Sequence, residues 1–278
     1  MALAVVTSLF NCTANSIRHQ HYLTFKEKLC KDLPLYTVEL AFDDFPFVLN
    51  SSEENILQIR CSTWMWQRDK IINTMLQHIP SKYDNIALID ADIIFHDPNW
   101  HKDTEGMLRE CKVGQLWANC HHTKEGIPPD RGISNRDKGI VHTGYAWAGR
   151  RDFLENSGIF DRSPVGGNDV LITIAYCGWR KHPYLQNMTP IFIKYFWEWA
   201  ENIFNETQGD VGYVDSDITH LWHGTKQDRN YMGRLNALAN FDPATDLKTS
   251  SVGTWEWATD KPIMHKKIED YMKGRIRG

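Results

Sequence analysis

The chain has 278 residues, 24% charged and 42% hydrophobic, with 31 Lys+Arg against 35 Asp+Glu and a formal net charge of −4. That length supports one large α/β domain or two small ones with a substantial core, and the charge balance excludes a basic nucleic-acid-binding surface and wholesale disorder. Aromatic residues stand out, with 11 Trp, 10 Tyr and 12 Phe; Trp is large and amphipathic, and its excess points to flat surfaces on which a ligand stacks.

The first apolar run, residues 3–9, breaks at Thr7-Ser8 and has no charged segment ahead of it, so it predicts a buried strand, not a leader peptide. Patterns then alternate: a helix over 17–30, a strand over 36–40, an apolar segment over 56–79, a strand over 86–95 and another over 113–118. Such alternation predicts a mostly parallel sheet with helices on its faces. Lys70, Ile71, Met75 and Leu76 recur at three- and four-residue spacing and predict one helix over 66–79, ending before Pro80. Residues 123–138, rich in Gly, Pro, Asp and Arg, have no apolar period and are expected to form a long mobile loop, of a length that usually carries function. A strand over 143–148, a helix over 151–157, a turn at Gly166-Gly167 and a helix over 168–178 follow, and residues 241–278, with Trp255 and Trp257, are expected to be a tail packed on the preceding domain.

No stretch approaches ~18 consecutive apolar residues, so no membrane span is expected, and the chain is expected to be soluble and cytoplasmic. The six cysteines, at 12, 30, 61, 111, 120 and 177, form no Cys-x-x-Cys pair and are expected to be reduced thiols.

Three segments carry candidate chemistry. Asp90-Ala91-Asp92 closes the apolar run 86–89; Asp215-Ser216-Asp217 has the same spacing, but only the first pair falls where a hydrophobic strand gives out. Open α/β sheets bind ligands there, and two hard oxygen ligands can hold Mg²⁺ or Mn²⁺ while leaving positions for phosphate oxygens; the alternative is a solvated acidic turn. His220 and His223, three apart, are followed by Gly224, Lys226 and Arg229; imidazole suits Mn²⁺ and the cations would neutralise a diphosphate. After Gly166-Gly167, Asn168 and Asp169 read either as a helix cap and first-turn acid or, for Asp169, as a carboxylate on a rigid helix start that takes a proton from an incoming hydroxyl.

In their order these blocks resemble the metal-dependent nucleotide-sugar glycosyltransferases of the GT-A fold, most closely the inverting β-galactosyltransferase branch. No membrane stem is expected, and the resemblance extends to the soluble glycosyltransferases of bacteria, phages and large DNA viruses, including algal viruses. Trp66-Gln-Arg68-Asp-Lys70-Ile-Ile-Asn73 is similar to that branch's Phe-Asn-Arg-Ala-Lys-Leu-Leu-Asn, whose Arg contacts the nucleotide. Asp90-Ala-Asp92 resembles its Asp-Val-Asp, whose second acid binds the metal; His142 to Phe153, with Gly158-Ile-Phe-Asp161 and Gly166-Gly-Asn-Asp169, resembles its acceptor region, with Asn168 standing where the branch has Glu; His223 matches its metal-binding His.

The resemblance implies an α/β, Rossmann-like GT-A catalytic domain over 1–240, with a nucleotide-binding half (1–120) and an acceptor-binding half (121–240). It implies transfer from a UDP-sugar of galactose, glucose or xylose type to a glycan hydroxyl, with inversion and Asp169 as base. Mn²⁺ or Mg²⁺ would be held by Asp92 and His223 with help from His220 and Asp90. Thr7, Ser8, Arg68, Lys70, Asp90, Ala91 and Lys226 would position the nucleotide, and Trp147, Asn168, Trp197, Glu198 and Trp222 would line the acceptor site. Two alternatives stay open: a retaining transferase, because His223-Gly-Thr-Lys226 resembles the endings of retaining GT-A enzymes, and a non-catalytic sugar-binding protein.

Overall fold

Residues 3–10 are apolar on both faces, and they form a strand buried on both: in β1 (Leu3–Phe10) Ala4 and Val6 enter one hydrophobic cluster, Leu3 and Val5 another. The same alternation recurs in β4 (Asn85–Ile89), with Ile86 and Leu88 on one face and Ala87 and Ile89 on the other. This period of two, with apolar residues on both faces, is the mark of a central strand covered on both sides.

The computed structural model describes residues 2–10, 16–124, 127–134, 140, 142–223 and 233–275, residues 124 and 127–134 by their backbone alone. Around β1 and β4 the main sheet adds β2 (Leu35–Phe42), β3 (Ile56–Cys61), β6 (Val113–Gln115), β9 (Ala146–Arg150) and β10 (Val211–Tyr213), in the order β10-β6-β9-β4-β1-β2-β3. Only β9 runs antiparallel to its neighbours β4 and β6, so the sheet is mostly parallel, as expected. Helices α1 (Ser16–Lys28), α2 (Arg68–Leu76), α3 (Trp100–Glu110), α4 (Arg151–Ser157), α5 (Asn168–Cys177) and α6 (Pro190–Thr207) connect and flank the strands. Among the described residues no helix is long and apolar enough to cross a membrane, and the five described cysteines are free.

Two expectations are corrected. Residues 86–95 are not one strand: β4 stops at Ile89, and after Asp90-Ala91-Asp92 the chain enters β5 (Ile93–Phe95) in a second sheet with β7 (Asn119–Lys124), β8 (Ile127–Ser134) and β11 (Asp217–His220), ordered β5-β11-β7-β8. The change of sheet follows a turn in which Ile93 N–H donates to Asp90 O (3.2 Å). Nor is 123–138 a loop throughout, because β7 runs to Lys124 and β8 pairs with it antiparallel. Backbone pairing defines this segment, and among the described strands β8 lies at the sheet edge, where Pro128 and Pro129 are tolerated.

Beyond residue 240, β12 (Leu247–Thr249) and β13 (Trp255–Trp257) form a two-stranded ladder, followed by α7 (Pro262–Gly274). The Gln67 amide donates to Trp255 O and accepts from Trp255 N–H, each at 2.8 Å. Trp255, Ile268 and Met272 join the same hydrophobic cluster as Val38, Ile71 and Phe196.

Candidate active site

The turn that ends β4 is held from β9's side: Asp90 N–H donates to Tyr145 O (2.8 Å), with Tyr145 in a left-handed conformation, φ +82°, that non-glycine residues rarely adopt. Its ring stacks on His142 at 4.2 Å. Across the turn, Leu221 N–H donates to Asp92 O (2.9 Å), bringing the end of β11 alongside. Asp92 Oδ2 consequently lies 3.1 Å from His223 Nε2 and 3.6 Å from His220 Nε2, and the two Nε2 atoms are 3.2 Å apart.

Ligand atoms of all three residues fall within 4.8 Å of one another, and Asp92 Oδ1 is buried with no hydrogen-bond partner among the described residues. An orphaned carboxylate oxygen beside two imidazoles is the donor set a divalent cation such as Mn²⁺ accepts, so the residues fit the group. Burial by itself would raise the Asp92 pKa, but the imidazoles of His220, His223 and His21 outweigh it and hold the carboxyl far below the usual range. At Asp90 burial wins, pushing the carboxyl up to about 6, with the Asp92 and Asp169 charges adding to the rise and Arg68 opposing it.

Arg68 opens α2 and reaches Asp90 Oδ1 with one nitrogen and Asp69 Oδ1 with another (2.8 Å). Asp69, 2% exposed, also accepts from the Trp66 indole (2.9 Å) and the Asn168 amide (2.7 Å), while Asn168 Oδ1 accepts from Ser163 N–H (3.1 Å). The starts of α2 and α5 are thereby tied together. Asp169 follows in the first turn of α5, with Oδ2 accepting from Thr143 Oγ1 (2.8 Å), and the Trp147 indole donates to Thr143 O (2.9 Å).

Thus Arg68, Asp90, Ala91, Asp92, His220 and His223 lie together, and Asp169 acts electrostatically on Asp90. Most of the other expected site residues are held by partners of their own. Thr7 is fully buried, its hydroxyl donating to Ile89 O (2.7 Å), while Ser8 beside it is half-buried. Asn168 is 1% exposed and spent on the Asp69 tie. Lys70 donates to Thr249 Oγ1 (3.2 Å) and sits over the Trp255 ring. Trp197 lies under Arg180 at 4.8 Å, and Glu198 is exposed on α6. Trp222 is half-buried, its backbone N–H bonded to Thr123 Oγ1 (2.7 Å). Lys226 and Arg229 lie outside the described residues.

Several participants carried no sequence signal. Asp69 and Thr143 act through partners distant in sequence, and His122, whose ring lies 5.3 Å from that of His220, is brought near only by the pairing of β7 with β11.

The sequence matches no protein-family model and no curated protein. Among solved structures, TarS from S. aureus in complex with UDP-GlcNAc superposes with a TM-score of 0.50 at 12% identity, over 88% of this chain and 69% of that one. The chain has the GT-A fold. Weaker likenesses to GT-A structures are to glucosyl-3-phosphoglycerate synthase from Mycobacterium tuberculosis with Mg²⁺ and UDP (TM-score 0.44, 11% identity, 85% of this chain and 77% of that one) and to a mutant Drosophila β1,4-galactosyltransferase 7 with manganese, UDP-Gal and xylobiose (0.37, 14%, 62% and 59%).

Proposed function

We propose that this GT-A chain is a glycosyltransferase that moves a sugar of galactose, glucose or xylose type from its UDP carrier to a hydroxyl of a glycan acceptor, with inversion. The observation that carries the proposal is the cluster of Asp92, His220 and His223 where the chain leaves the main sheet after β4, beside the Arg68–Asp90 pair. Ligands in open α/β sheets sit at this end of the strands, and the TarS neighbour holds UDP-GlcNAc. The nucleotide would lie against residues 1–120 and the acceptor against residues 121–240.

Asp92, His220 and His223 would hold Mn²⁺ or Mg²⁺; when bound, the cation supplies positive charge to the diphosphate as it departs. Arg68 keeps Asp90 fixed through its second tie to Asp69. Thr143 holds Oδ2 of Asp169, and the other carboxylate oxygen would receive the acceptor's proton. The acceptor oxygen bonds to the anomeric carbon as the bond from that carbon to the diphosphate breaks, its electron pair leaving with UDP. The Trp147 indole bonds the backbone carbonyl of Thr143, and from there Trp147 would line the acceptor site.

The test is UDP release from a panel of UDP-sugars with Mn²⁺, with and without oligosaccharide acceptors. Turnover that needs the metal and yields the inverted anomer by NMR supports the proposal. A retained anomer would make this a retaining transferase, and sugar binding without turnover would make it a lectin-like protein.

A further inference from the structure

The triplet Asp215-Ser216-Asp217 plays no part in the chemistry above, yet Asp217 sits in a second group of potential ligands with His96 and His121, whose candidate atoms all lie within 4.8 Å of one another. Strand register explains the convergence. Thr219 pairs with Ile94 on β5 and with His121 on β7, and Asp217 pairs with Asn119. Side chains alternate between faces with a period of two, so His96, Asp217, Asn119, Thr219 and His121 share one face of the small sheet. Ile93, Ile218, Cys120, His122 and His220 share the opposite face, where the first three are buried in the core. The two His-Asp clusters therefore lie at opposite ends of the β5–β11 pair, and His220 and His121 project from opposite faces.

We propose that His96, His121 and Asp217 form a second metal site, selective for a borderline transition ion such as Zn²⁺. Two imidazoles and one carboxylate are a common three-ligand set for Zn²⁺, with a fourth position left to water. His121 Nε2 and Asp217 Oδ2 are 3.1 Å apart, close to the about 3.3 Å separating two ligands of a tetrahedral ion with bonds of about 2.0–2.1 Å. The surrounding contacts orient the ligands. Asn119 Nδ2 holds Asp217 Oδ1 at 2.7 Å, Thr219 Oγ1 holds His96 Nε2 at 2.7 Å, and the His96 and His121 rings are stacked 5.2 Å apart, 16° from parallel. His96 is exposed, giving an ion access from solvent. Because β5 runs from beside Asp92 to His96, and β11 from Asp217 to His220, an ion here would clip together the strands that carry the first cluster.

The test is thermal unfolding of the full chain with Zn²⁺ in a His223→Ala background, where the first cluster is broken. A rise in Tm on adding Zn²⁺ that disappears when His96→Gln is added supports the site. No rise in His223→Ala, or a rise that survives His96→Gln, overturns it. Circular dichroism checks that the double variant is folded. If it is not, Asn119→Ala replaces it; that change leaves all three ligands in place and is expected to weaken Zn²⁺ binding by about 10-fold or more, and unchanged binding would equally overturn the site.

Discussion

Replacing Gly167 by Ala strains the turn that leads into α5. Gly167 precedes α5 with φ +84°, and a Cβ there would lie 2.0 Å from Tyr184 Oη and 2.7 Å from Arg234 Nη2. The left-handed conformation costs an alanine about 1–2 kcal/mol. Relieving the overlap requires moving a buried hydroxyl and an Arg234 side chain on the element 233–238, and overpacking of this kind adds about 1–3 kcal/mol. For 278 residues at about 2.1 cal/mol/K each, the unfolding entropy is about 0.6 kcal/mol/K, so a total of about 2–5 kcal/mol corresponds to a Tm lowered by about 3–9 °C. Gly166→Ala is the internal control. Its φ is also left-handed, at +81°, but its nearest neighbours are Trp66 Cδ2 at 3.2 Å and Arg234 Nη1 at 3.3 Å, so it keeps the backbone cost and little of the clash, about 2–3 °C in all. Differential scanning calorimetry of both variants decides. A Gly167→Ala chain within about 1 °C of wild type, or no worse than Gly166→Ala, would refute the reasoning.

Three further outcomes follow from the site and its surroundings. Asp92→Ala removes the carboxylate of the first cluster and is expected to abolish metal-dependent UDP binding in calorimetry; undiminished binding would remove Asp92 from the metal site. Asp169→Asn is expected to lower kcat by about 10²–10⁴-fold with UDP affinity unchanged, and near-normal transfer would exclude Asp169 as the base. Burial alone would raise the Asp246 pKa, but the Asp242 amide, Lys261 and Thr259 outweigh it and hold it below the ordinary range. Its stabilising contribution is therefore present above pH about 4 and lost as pH falls through the lower native value. Asp246→Asn is expected to cost about 2 kcal/mol in urea unfolding at neutral pH, with the gap to wild type closing in acid. A gap that stays constant down to acid pH would show that the charge of Asp246 contributes nothing.

How much was legible beforehand depended on the range of the interaction. The strand at 3–9 and the helices at 151–157 and 168–178 follow from apolar periodicity and local stop signals, and each appears within a residue or two of expectation. The pair Asp90/Asp92 was legible as a strand end. What was not legible was tertiary. The Asp69–Asn168 tie joins residues 99 apart, and no spacing rule reads such a bond. It turns Asn168 inward, where it is 1% exposed. The tryptophan excess divides in the same way. Trp100 and Trp117 are core residues, 2% and 0% exposed, and Trp255 lies between Lys70 and Arg162, so composition alone overstated the share available to stack on a ligand.

The two Asp-x-Asp triplets show why spacing cannot rank metal sites where burial can. Both end in an aspartate that topology brings to a pair of imidazoles: Asp92 to His220 and His223, Asp217 to His96 and His121. They differ in what the carboxylate still lacks. Asp92 Oδ1 is buried and unpartnered among the described residues, a state that costs about 1–3 kcal/mol or more for a charged group and that a cation relieves. Asp217 has Asn119 on one oxygen and His121 on the other, so an ion arriving there must replace bonds already made. The first cluster is accordingly expected to bind its metal with little rearrangement. The second trades its His121–Asp217 bond for an ion that prefers nitrogen ligands, which favours Zn²⁺ over Mg²⁺ there.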